Sequence, residues 1–181
     1  MKTLHLMATV LILSLLSACG SLTTASSSAP KTTVIERAKD MQAVLAFNDC
    51  AVEGQMRDTA AAKETDQALY LSSADILASC DAELTGSYAL VEREQRMRIM
   101  ALAVQNYLKG GDVGAARLVL SKFARDFDDA DLIYADGSSF SDTMHALLYQ
   151  HADQKQLALS SLNARRSVKE EIRRSWYWQK N

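Results

Sequence analysis

Apolar residues recur along this chain at steps of three, four and seven, the period of a helix and not of a strand. Val34, Ala38, Met41, Leu45, Val52 and Met56 lie on one stripe of a helix from about 33 to 53. A second helical stretch, about 57 to 81, carries Leu69, Ile76 and Cys80 on one face; Ser72 with Asp75 resembles a capping box and predicts a break there. Leu90, Met97, Ala101, Val104 and Leu108 mark a third helix, about 88 to 109, stopped by Gly110-Gly111. Asp112 can cap a fourth, about 113 to 127. Ser139 with Asp142 opens a fifth, running to about 152, and the last, about 154 to 178, carries Ala158, Leu162, Val168, Ile172 and Trp176. No proline follows Pro30, and the six glycines beyond it sit at Gly54, Gly86, Gly110, Gly111, Gly114 and Gly137. The pattern predicts an all-α domain over 33–181, with about six helices in antiparallel hairpins.

The first residues follow a different pattern. Lys2 precedes an apolar run from Leu4 to Leu16, too short for the roughly 20 residues of a membrane-spanning helix and of the length of a secretory h-region. It ends in Leu16-Ser17-Ala18-Cys19, which resembles the lipobox of bacterial lipoproteins. That resemblance implies a signal peptide over 1–18, cleavage before Cys19, and acylation of the Cys19 thiol and new amino group, including palmitate-type chains. Several acyl chains meet the need for more than one lipid to hold a protein stably on a membrane. Gly20 and Ser21 follow Cys19 where an Asp would favour inner-membrane retention. The resemblance therefore implies an outer-membrane anchor facing the periplasm. Residues 19–32 are Ser/Thr/Ala-rich, without apolar periodicity, and read as a flexible tether with a reach of roughly 20 Å.

Within 97–164 a spacing repeats. Tyr107, Ala116 and Leu120 are followed 42 residues later by Tyr149, Ala158 and Leu162. This resembles the aromatic–small–large pattern of tetratricopeptide-like hairpins. Their usual period is 34, and Met100 and Asp142 stand where a first-helix Trp belongs. A helical bundle and a short array of that kind both remain open.

Composition narrows the function classes. Without residues 1–18 the chain carries 19 basic and 22 acidic residues, a near-neutral balance that argues against non-specific nucleic-acid binding. An oxidising periplasm would favour a disulfide between Cys50 and Cys80, closing about 30 residues and stabilising by roughly 3–4 kcal/mol. A straight helix over 57–80 would put Cys80 some 30 Å from Cys50. The stretch then breaks near Ser72 and the bridge forms, or both thiols stay free.

Catalytic chemistry finds little footing. His145 and His151 are six apart, outside the spacings of three or four that helical zinc pairs use. The cluster from Asp126 to Asp131 resembles a calcium loop but holds Asp131 and Gly137 where an EF-hand needs Gly and Glu. There is no nucleophile elbow and no phosphate loop. We expect no catalytic residues, no metal site, no cofactor and no enzymatic activity.

The C-terminus is the more suggestive segment. Residues 163–181 carry a net charge of +4 and hold Arg173, Arg174, Trp176, Tyr177 and Trp178, residue types enriched in binding hot spots. Residues 121–155 carry −4. The expectation is a partner-binding lipoprotein, an assembly or localisation factor similar to pilotins or tetratricopeptide-type lipoproteins. Its partner would be an envelope protein such as a secretin, pilus or barrel component. The alternatives are a periplasmic inhibitor or immunity lipoprotein that blocks an enzyme with its acidic face, and a tethered envelope protein contacting peptidoglycan.

Overall fold

The computed structural model describes residues 33–149 and 162–180, with side chains described through Arg174 in the second segment. The signal peptide, the tether with Cys19, His151 and Ala158 lie outside the described residues, as do the side chains of Trp176, Tyr177 and Trp178. The described residues are all-α: α1 Val34–Glu64, α2 Gln67–Ser79, α3 Arg93–Gly110, α4 Val113–Asp126, α5 Phe140–Leu148 and α6 Arg166–Lys180.

The first hairpin differs from the expected one. α1 runs unbroken through Gly54, and no break occurs at Ser72, which lies inside α2. The reversal falls at Thr65-Asp66. Thr65 takes a left-handed φ of 57°, and the Asp66 carboxylate caps α2 by accepting from the backbone N–H of Ala68 at 2.8 Å and Leu69 at 3.4 Å. Ser72 is not a cap; its hydroxyl accepts from Arg57 of α1 at 3.1 Å. Cys50 and Cys80 sit almost equally far on either side of this turn, so antiparallel helices bring them level. Their Cα atoms are 5.5 Å apart and they form a disulfide. The turn's position, not a break in the second helix, answers the distance objection.

Where the fold needs special chemistry the expected residues supply it. Gly111 ends α3 at φ 88°, a conformation that a side chain would strain. The Asp112 carboxylate caps α4 through the N–H of Ala115, and the Ser139 hydroxyl caps α5 through the N–H of Asp142. α6 begins at Arg166, well after 154. The backbone ahead of it is bonded elsewhere: Ser139 N–H donates to the Asn163 carbonyl, and Asn163 and Arg165 N–H donate to the Asp142 carboxylate and the Ser138 hydroxyl. Those bonds hold Leu162 in a bend. Tyr107, Ala116 and Leu120 are core residues, whereas Leu162 is buried outside a helix.

Three apolar clusters stabilise the domain. The largest joins α3, α4 and α5 through Met97, Val104, Leu120, Phe123, Phe127 and Phe140, with Phe123 in edge contact with Phe140 at 4.8 Å. A second packs Phe47 and Ala51 of α1 against Leu77, Cys80, Leu84, Ile99 and Ala103. A third holds α6 to α5 through Ala146, Leu162 and Ile172.

Two polar systems key these helices together. The Asn106 amide donates to the Ser73 hydroxyl at 3.0 Å, which donates to the Gly54 carbonyl at 2.7 Å, linking α3, α2 and α1 in a buried chain. Arg96 of α3 grips the buried Asp81 carboxylate with two bonds, 3.1 and 2.7 Å, beneath the ring of Tyr88. Lys122 of α4 approaches the same carboxylate at 3.7 Å.

Candidate partner-docking surfaces

α6 carries the basic segment singled out from the sequence. Ile172 is buried and Val168 packs beside it, so this face joins the helix to the body. Arg173 and Arg174 are exposed, as is Arg166, which bonds Glu170 one turn along at 2.8 Å; Arg174 bonds Glu171. The helical backbone continues through Lys180, so Tyr177 and Trp178 follow Arg173 and Arg174 by four residues in register. α6 thus brings five sequence-selected residues onto one element.

The acidic half is engaged within the domain. Asp129 accepts from Arg93, Asp126 from Lys122 at 2.6 Å, and Asp136 pairs with Arg165 at 3.3 Å. The Arg93 hydrogen bond holds the Asp129 carboxyl down at about 2. The Ser138 backbone N–H holds Asp136 below the usual carboxylate range. Asp131 accepts from Leu132 and Ser141 N–H and from the Ser139 and Ser141 hydroxyls, so it organises the entry to α5. His145 is exposed and stacks on Tyr149 at 5.1 Å. Among the described residues no group of three His, Cys, Asp or Glu side chains is placed to hold a metal ion, and no helix is long and apolar enough to cross a membrane.

The apolar stripe that marks α1 in the sequence faces solvent. Val34, Met41, Leu45, Val52 and Met56 are each more than half exposed. The face that α1 buries is the other one, with Phe47, Ala51, Gly54 and Ala61. The two faces lie about 150° apart at 3.6 residues per turn. The signal was present: a helix with two apolar faces cannot bury both against one neighbouring layer. No protein-family model, curated protein or solved structure matches the chain.

Proposed function

We propose that this chain is an outer-membrane lipoprotein, anchored through Cys19, whose helical body binds an envelope protein as a non-enzymatic assembly or localisation factor. The supporting observation is α6. It is held to the body through one small cluster, and it presents Arg173 and Arg174 to solvent on the helix that carries Trp176, Tyr177 and Trp178. Arg and aromatic side chains on one rigid element are the anchors that protein interfaces use most. The partner class is an envelope-machine component of the pilotin-served kind, a secretin, pilus or barrel subunit. The alternative enzyme-blocking role would draw on the acidic face, where Asp126, Asp129 and Asp136 are paired with cations of the domain itself.

In-cell crosslinking of the tagged full-length protein, with mass spectrometry of the outer-membrane fraction, tests the reading. An envelope-machine subunit should be recovered, and Arg173→Ala with Arg174→Ala, or Tyr177→Ala with Trp178→Ala, should reduce its yield at unchanged abundance. Recovery that is indifferent to all four substitutions would refute the docking surface. Recovery of a soluble periplasmic enzyme alone would favour the inhibitor.

A further inference from the structure

We infer that the turn 136–142 and the adjoining side of α5 form a binding site for a partner segment that carries an apolar residue, an arginine three positions on, and then a helix. The chain's own residues 162–165 and α6 occupy that site as an internal ligand. The inference concerns the surface beneath α6 and does not rest on the docking role proposed for the exposed side of that helix.

The occupant's contacts define the site. Ser139 N–H donates to the Asn163 carbonyl at 2.6 Å, and Asn163 N–H donates to the Asp142 carboxylate at 3.0 Å. Arg165 N–H donates to the Ser138 hydroxyl at 3.2 Å, and the Arg165 guanidinium lies 3.3 Å from the Asp136 carboxylate. Leu162 is buried in one cluster with Ala146 and Ile172. Apart from the Arg165 guanidinium, the polar contacts use main-chain atoms of the occupant, which every residue except proline offers in full. Sequence is read at two side chains: Leu162 by its apolar surroundings and Arg165 by the Asp136 charge, with Asn163 exposed between them. Extended peptides are recognised in this way, main-chain bonds giving the hold and side-chain pockets the choice.

The receiving side is braced by bonds of its own. The Asp131 carboxylate accepts from the Ser139 and Ser141 hydroxyls and from the backbone N–H of Leu132 and Ser141. Tyr134 N–H donates to the Ser138 carbonyl and Phe140 N–H to the Leu132 carbonyl, both at 2.9 Å. These bonds do not involve residues 162–180, so the turn keeps its shape when the occupant leaves. The hold on the occupant is light. Its cluster, with Ala146, Leu162 and Ile172 as the buried members, is the smallest of the three. Arg165 is mostly exposed, and an ion pair in such a setting contributes little. A segment held in this way opens locally before the core does. A partner that brings the same two side chains, with an apolar residue at the level of Ile172 on the helix that follows, replaces the internal ligand contact for contact and frees α6 from α5.

The test uses the full-length chain and a fluorescein-labelled peptide of residues 162–174, with binding read by anisotropy. The parent chain should bind the peptide weakly, because its own segment competes. Ile172→Ser in the chain weakens that competitor while the peptide keeps its Ile172. Half-saturation should then fall about tenfold or more, with the rest of the chain still unfolding cooperatively. In that background Asp136→Asn, which keeps an oxygen for the Ser138 N–H, should weaken binding severalfold. Arg165→Ala in the peptide should do the same, and Leu162→Ser in the peptide should abolish binding. Amide hydrogen exchange in the parent chain is a second readout that needs no variant. Ser139, Asn163 and Arg165 should exchange together, about a hundredfold or more faster than Val104 of α3. Affinity unmoved by Ile172→Ser, binding that ignores Leu162 and Arg165, or exchange at the three amides as slow as at Val104 would each overturn the inference. A crosslink joining residues 162–174 of one copy to the turn 136–142 of another would give the site to a second copy and overturn it as well.

Discussion

Replacing Gly54 by Ala should destabilise the domain, although helix propensity argues the opposite. Gly54 lies deep inside α1, where Ala is the better helix former by about 1 kcal/mol. The packing outweighs that gain. A Cβ at Gly54 would stand 2.5 Å from both Cγ and Cδ2 of Leu77, and Cγ cannot swing aside without moving a fully buried side chain in α2. Overpacking of this kind costs about 1–3 kcal/mol. If the helices separate to relieve it, the bond from the Ser73 hydroxyl to the Gly54 carbonyl lengthens, and about 1 kcal/mol more is lost. After the propensity gain the expected loss is about 1–3 kcal/mol, read from urea unfolding followed by circular dichroism with an unchanged denaturant slope. A double-mutant cycle isolates the cause. In a Leu77→Ala background the obstructing atoms are gone, so Gly54→Ala should become neutral or stabilising by about 1 kcal/mol. A single variant as stable as the parent, or a loss that persists in the Leu77→Ala background, would refute the close approach of α1 and α2 at this level.

Three further outcomes follow from the same packing. Cys50→Ala with Cys80→Ala should lower stability by about 3–4 kcal/mol for a ring of this length, while a loss below about 1 kcal/mol would mean that the α1–α2 hairpin survives in the unfolded chain. Arg96→Met leaves the Asp81 carboxylate buried with only Lys122 nearby and should cost about 3 kcal/mol; Asp81→Asn added to it should recover part of that loss, and a cost near zero for the single change would refute the buried pair. Burial pushes the Tyr134 hydroxyl up to about 12, against about 10 in the unfolded chain. The folded state therefore holds this proton more tightly: the stabilisation is complete below pH 10 and disappears as pH rises from about 10 towards 12. A tyrosinate absorbance titration should lose its step near 12 in Tyr134→Phe, and loss of a step near 10 instead would refute the burial argument.

Local chemistry was the legible part of this chain. Gly111, Asp112 and Ser139 act where their side chains, or the lack of one, dictate, because a cap is decided by bonds to the next few residues. Thr65 and Asp66 escaped notice because neither Gly nor Pro marks their turn, and Ser72 drew attention because its spacing to Asp75 imitates a cap. Ser72 faces Arg57 across the hairpin, a partner 15 residues away that no local pattern displays. Leu162 fails as a helical residue for a related reason: the backbone at Asn163 and Arg165 bonds to Ser138, Ser139 and Asp142, which only the folded chain brings near.

α1 shows how an apolar period can be read correctly as helical and still leave its role open. Val34, Met41, Leu45, Val52 and Met56 are large and regularly spaced, so they dominate any periodicity. The residues that α1 presents to the core include Ala51, Gly54 and Ala61, small because α2 must come close. Close approach needs small side chains, and small side chains contribute little to a hydrophobic pattern. This close helix contact is therefore little visible in the sequence, and the most conspicuous stripe remains exposed. A stripe of that regularity on the outer side of a disulfide-braced hairpin presents its apolar residues on a backbone already ordered by folding.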